Sequence, residues 1–316
     1  MFWKKILPLR YMLYKIIKAG NTVKEFMMKK TVFKAGVVGV LILILALTTG
    51  CGGGSVSLEK LPEKLSKLKV NTVDKPYNIM LDANVNIGTK LGEISRVVES
   101  EGKFVILDIS VCGINDNRLP DMSSISHNTY IVGFVLPKSI TTIDDQAFER
   151  FNHNLSITIP ASVNSIGRRA FSDANITVAS GNNFFKTIDG ILLDKNETTL
   201  IFFPRNRSGS YSVPNGVKII GSEAFSYTDL TSLSIPASVT SIENYALDST
   251  YIDGSGLKEI TFAAGSNITS FGTFWITTSR HGTGDASLKR AYEAETLPLA
   301  TVVTFVRTEN DPWMRK

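Results

Sequence analysis

The chain has 316 residues, 43% hydrophobic and 20% charged, with only two cysteines, Cys51 and Cys112; that length buries a core without disulfide staples. A formal net charge of +5 invites a nucleic-acid or anionic-membrane partner, but nine of the 34 Lys/Arg and one of the 29 Asp/Glu fall within residues 1–50. Residues 51–316 therefore carry 25 basic and 28 acidic side chains, with no basic block longer than Arg168-Arg169, which excludes an electrostatic footprint for nucleic acid.

From the N-terminus, Lys29, Lys30 and Lys34 precede thirteen apolar residues, Ala35–Leu47, and then Thr48-Thr49-Gly50-Cys51. Crossing a bilayer core of about 30 Å takes about 20 apolar residues, so 28–50 reads as a secretory signal peptide. Met28 opens a complete signal by itself, and 1–27 is expected to be a misannotated N-terminal extension; the alternative is that Ile6–Ile17 forms a membrane-surface helix. Small residues followed by Cys51 resemble the lipobox of bacterial lipoproteins, with Thr48 where the usual box has leucine. By that resemblance the Cys51 thiol receives a diacylglycerol, and Gly52-Gly53-Gly54-Ser55, within a segment at 51–56, is a flexible tether.

An N-terminal cap region follows at 57–130, with helix-like Leu58–Leu68 and Ile94–Glu99 and strand-like Phe104–Ile109. Cys112, just beyond that strand, reads as a small buried apolar residue.

Residues 131–282 carry a repeat. Its copies are Leu136-Pro137 with Ile140, Ile143, Ala147 and Phe148; Ile159-Pro160 with Val163, Ile166, Ala170 and Phe171; Val213-Pro214 with Val217, Ile220, Ala224 and Phe225; and Ile235-Pro236 with Val239, Ile242, Ala246 and Leu247. Numbering positions from each proline, the apolar residues stand at three, six, ten and eleven. The prolines are 23, 54 and 22 residues apart, so the period is within the roughly 20–29 of leucine-rich repeats. Alternation before each proline, as in Ser232, Leu233, Ser234 and Ile235, is that of a half-buried strand. Proline ends it, lacking an N–H for the next coil. Gly167 and Gly221 at position seven suit a left-handed or crowded turn, though Asp144 and Glu243 stand there in the other copies.

Between the second and third copies, within 184–204, Ile191–Leu193 and Leu200–Phe203 flank Asp194-Lys195-Asn196-Glu197 and predict a hairpin inserted into one longer coil. A last degenerate coil is expected over Ile260–Phe271, and a C-terminal cap over 283–316, with a helix at Ala286–Ala294 and a strand at Thr301–Val306. The fold class is thus α/β: a leucine-rich repeat solenoid of strand-rich parallel coils with short helical turns and a cap at each end, since a lone coil cannot bury its own apolar face.

Catalytic chemistry finds little support. His127, His153 and His281 share no metal-ligand spacing, and neither a Gly-x-Ser-x-Gly elbow nor a phosphate-cradling glycine loop is present. Adjacent Asp144 and Asp145 diverge and suit a solvated turn. No catalytic, cofactor or metal residue is therefore assigned. Two and four residues before three of the prolines stand Ser156 and Thr158, Ser210 and Ser212, Ser232 and Ser234. They are expected to form hydroxyl rows on the outer face of the sheet: either simple solvation of that face or a nearly uncharged surface that docks a protein or glycan.

The coil sequence from Leu233 to Leu247, the insertion from Asp189 to Pro204 and the lipobox together resemble BspA-like leucine-rich repeat proteins of oral anaerobes and spirochaetes, closely over 131–275. The flanks around Pro76–Leu81, Phe104–Ser110 and Leu288–Tyr292 with Trp313 are similar, more loosely, to treponemal members. The asparagine ladder of other leucine-rich repeats is missing, as in this family. The resemblance implies a lipid-anchored, surface-exposed protein of the outer membrane: a non-catalytic adhesin whose partners are host extracellular-matrix proteins, bacterial surface proteins or glycans. The alternative is a periplasm-facing lipoprotein that scaffolds envelope components; more distant is a glycan-active enzyme.

Overall fold

The computed structural model describes residues 54–123, 125, 127–151, 155–172, 174–248, 257–272, 286–306 and 313–316. Cys51, the signal segment and the residues before it lie outside them, as do His153 and His281.

Each coil contributes to two ladders. The alternating stretch before each proline supplies a long strand. Tyr77–Met80, Val105–Asp108, Ile131–Val135, Ser156–Ile159 and Asn175–Val178 form one all-parallel sheet. Ser208–Ser212, Asp229–Ile235 and Glu259–Phe262 form a second parallel set. Positions five and six supply a short return strand: Thr142–Ile143 and Ser165–Ile166 join Arg118–Leu119, while Ile219–Ile220, Ser241–Ile242 and Ser270–Phe271 stack on the hairpin strand Thr199–Phe202. Stacked coils joined by parallel rungs are a leucine-rich repeat solenoid.

The proline turns the chain at once. The N–H at position three bonds back to the proline carbonyl in all four copies, at 3.4, 3.3, 3.3 and 3.2 Å for Ile140, Val163, Val217 and Val239. The side chains at positions three, ten and eleven are buried in every copy, burial worth roughly 1.5–3 kcal/mol for each large one. Phenylalanines at position eleven stack from coil to coil: Phe148 and Phe171 lie 5.7 Å apart with rings 6° from parallel.

At position seven the crowded alternative holds, not the left-handed one. Neither Gly167 nor Gly221 is left-handed; what they share is crowding, for a Cβ on Gly167 would lie 2.3 Å from Asp145 N and one on Gly221 3.0 Å from Leu200 O. The left-handed residue stands at position nine, where Gln146, Arg169, Glu223 and Tyr245 have φ of 58, 50, 59 and 55°. A non-glycine residue there stops each turn from propagating as a helix, so a single turn leads into the buried Ala–Phe pair.

The hairpin joins two cores. Ile191–Asp194 runs antiparallel to Thr199–Phe202 and also to Phe185–Ile188. Leu192 and Phe202 belong to the N-terminal core, whereas Ile191, Leu193 and Phe203 belong to the C-terminal one. Just before it, fully buried Asn182 donates to Pro160 O (2.8 Å) and Val163 O (2.9 Å) and accepts from Phe184 N and Phe185 N (both 2.8 Å).

Helices stand towards the two ends. Helix α1 (Leu61–Ser66) opens with Pro62 and buries Leu61 and Leu65. Helix α2 (Ile87–Glu101) buries Ile87, Leu91, Ile94 and Val98 and ends at left-handed Gly102, whose N–H bonds to Val98 O and Glu99 O. It begins seven residues before the expected Ile94, because Gly88, Thr89 and Gly92 obscure a regular apolar spacing. Around α2, Tyr77–Met80 and Val105–Asp108 belong to the solenoid's own first sheet. At the far end, helix α3 (Ala286–Glu293) carries buried Tyr292, whose hydroxyl accepts from Ile268 N at 3.0 Å. Val303–Val306 then pairs antiparallel with Glu259–Phe262 and closes the parallel run.

Candidate functional site

The hydroxyl residues occupy two separate sheets, not one. Ser156 and Thr158 lie in the N-terminal sheet beside Asn175 and Thr177. Ser210, Ser212, Ser232 and Ser234 lie in the C-terminal sheet, because the hairpin insertion separates the two sets of long strands. Within each sheet the side chains form rows across neighbouring strands, about 4.8 Å apart.

In the C-terminal sheet one row runs Ser210, Ser232, Glu259, Val306 and the next Ser212, Ser234, Thr261, Thr304. Ser210 and Ser212 are exposed, Ser232 and Ser234 half-buried. Thr261 and Thr304 share a hydroxyl hydrogen bond of 2.9 Å, as Thr158 and Thr177 do at 2.8 Å in the other sheet. Glu259 interrupts the first row with a carboxylate held by Lys316 at 3.1 Å. Short hydroxyls at strand spacing can donate and accept toward a flat polar partner, yet nothing about them concentrates charge or raises nucleophilicity. Sequence reasoning missed Asn175, Thr177, Thr261 and Thr304: Asn175–Val178 and Glu259–Phe262 are not followed by proline, and Thr304 enters its row through an antiparallel strand.

The carboxylates elsewhere join coils. Asp144 pairs with Arg118, and Asp145 accepts from Arg168 N at 2.7 Å and pairs with its guanidinium at 2.9 Å. Arg169 bridges Glu149 and Glu223, the latter at 3.1 Å, and with Arg205 brackets Tyr227, their guanidinium carbons 5.5 and 4.9 Å from the ring centre. Burial raises the pKa of Glu223 against the pull of Arg169 and Arg168. Burial, followed by the charge of Glu223, pushes Asp248 up to about 6. Cys112 is buried with its sulfur 3.5 Å from Asp82 O, and burial, with Asp108 and Asp82, pushes the thiol up to about 11; a thiol so protonated is a poor nucleophile. Among the described residues no three His, Cys, Asp or Glu side chains could hold a metal, and no helix is long and apolar enough to cross a membrane.

Against known proteins, the family model for the BspA type leucine rich repeat region (6 copies) matches residues 123–253 and 202–280. No curated protein matches the chain. Similar solved structures include the pneumococcal vaccine antigen PcpA, 18% identical over 66% of this chain and 62% of that one with a TM-score of 0.40. A leucine rich cell surface protein from Faecalibacterium prausnitzii is 24% identical over 54% and 46%, TM-score 0.35. A leucine-rich repeat protein from Eubacterium ventriosum is 18% identical over 62% and 64%, TM-score 0.36. The chain thus spans less than two thirds of each of these structures.

Proposed function

The chain belongs to the BspA-type leucine-rich repeat family, and on that premise we propose that it is a non-catalytic protein of a bacterial cell surface, lipid-anchored through Cys51, that holds other proteins or glycans by the outer face of its solenoid. The supporting observation is the C-terminal sheet, whose rows Ser210, Ser232 and Ser212, Ser234, Thr261, Thr304 present hydroxyls at strand spacing. Such a face suits many weak, cooperative polar contacts rather than one deep pocket. The hydrophobic segment ending at Cys51 supports the anchor and the export it requires. Host matrix proteins and other bacteria are the partners the family suggests.

The test is retention of the purified full chain on immobilised extracellular-matrix proteins and on bacterial cells. Ser212→Lys with Ser234→Lys places two ammonium groups on adjacent strands of the row and should abolish retention while leaving the thermal transition within a few degrees of the parent. Retention unchanged by the pair would refute the sheet face as the binding surface.

A further inference from the structure

One rung of the coil-to-coil ladder is missing, and the gap it leaves has the chemistry of a peptide site. Elsewhere the N–H groups at positions nine and eleven bond to the next coil: Gln146 N to Arg168 O at 2.9 Å, Phe148 N to Ala170 O at 2.8 Å, Glu223 N to Asn244 O at 3.0 Å and Phe225 N to Ala246 O at 2.8 Å. In the second copy the same donors, Arg169 N and Phe171 N, have no acceptor among the described residues. Ser222 O, equivalent to Arg168 O and Asn244 O, likewise receives no donor among them.

The cause is the length of the inserted coil. Leu200 pairs with Ile220 and so stands at position six, and Phe203 N, bonding to Ala224 O at 2.9 Å, stands at eleven. Only Ile201 and Phe202 lie between them where the other coils have four residues. The peptide that would offer carbonyls at eight and ten and an N–H at nine is absent. An open pocket remains, walled by Arg168–Phe171 on one side and Gly221–Glu223 on the other, with Ile201 and Phe202 beneath.

We propose that this slot binds a short peptide turn of a partner protein, its middle residue left-handed as position nine is in the other coils. The segment's backbone accepts from Arg169 N and Phe171 N and donates to Ser222 O, supplying the absent rung through main-chain hydrogen bonds. Arg168 is paired with Asp145, and Arg169 with Glu149 and Glu223, so recognition rests on the backbone bonds rather than on charge. The slot is a different surface from the hydroxyl rows, and either can fail without the other.

The probe is the capped tripeptide acetyl-Ser-Glu-Ala-amide, a copy of residues 222–224, titrated into the 15N-labelled full chain. The expected result is a saturable shift of the Arg169 and Phe171 amide resonances with a Kd on the order of 1–10 mM. N-methylation of the peptide's Glu nitrogen removes the donor to Ser222 O and should weaken binding about tenfold. Inserting Gly-Ser between Phe202 and Phe203 should fill the slot and abolish the shifts. No shift at Arg169 and Phe171, shifts confined to other residues, or equal binding of the N-methylated peptide would overturn the proposal and leave a slot filled by water.

Discussion

Replacing Gly167 by alanine tests how closely the coils are stacked. A Cβ at this position would lie 2.3 Å from Asp145 N, 2.4 Å from Asp145 Oδ1 and 2.6 Å from Asp144 C. The first and last of these belong to the main chain of the preceding coil and cannot swing aside. Because Gly167 is not left-handed, the penalty is steric. Relief requires the coils to part, which stretches the 2.8 Å bond from Gly167 N to Ile143 O and the 2.7 Å bond from Arg168 N to Asp145. Overpacking of this kind costs about 1–3 kcal/mol, and weakening one neutral and one charge-assisted hydrogen bond adds about 1–2 kcal/mol. The smaller entropy of alanine in the unfolded chain offsets about 0.4–1 kcal/mol. The net loss should be about 2–4 kcal/mol, read as a lowered urea midpoint at unchanged slope. Gly181→Ala is the control, its Cβ meeting only the Ala161 Cβ at an ordinary 3.5 Å, and should stay within about 0.5 kcal/mol of the parent. Equal stability of the two variants would refute the reasoning.

Phe171→Ala removes a ring stacked on Phe148 and set edge-on to Phe202 at 5.7 Å; it should cost about 3–5 kcal/mol in the same assay. Asn182→Ala leaves two carbonyls and two N–H groups without their buried partner, so about 2–4 kcal/mol should be lost, and a change below about 1 kcal/mol would show that water replaces the amide. Asp248, pushed up to about 6 by burial and Glu223, binds its proton more tightly folded than unfolded, where its pKa is about 3.9. Its contribution therefore falls as pH rises from about 4 to 6 and is then constant. Asp248→Asn should match the parent below pH of about 4 and exceed it at pH 7 by on the order of 2 kcal/mol; a difference independent of pH would contradict the burial argument.

The repeat, its strand-ending prolines and the inserted hairpin were legible because each depends on spacing along the chain. Position six marks the second ladder wherever Ile143, Ile166, Ile220 and Ile242 occur. What spacing could not give was the contact between coils. Gly167 suggested a left-handed or a crowded turn, and crowding is what holds there. Gln146, Arg169, Glu223 and Tyr245 are the left-handed residues; their side chains share no chemistry, since the demand is on the backbone alone. Asn182 carries a buried network that a single polar residue in a loop does not announce. The hydroxyl residues were found, but their division between two sheets depends on how the hairpin breaks the ladder. Asn175, Thr177 and Thr304 escaped because no proline follows their strands.

The most direct measurement is protease accessibility of residues 57–316 on intact cells, with a soluble periplasmic protein as the leakage control. Cleavage of the solenoid while the control stays protected is the expected result, and it would direct the partner search to host matrix and neighbouring bacteria. Protection until the cells are lysed would contradict surface display and leave a lipoprotein facing the periplasm.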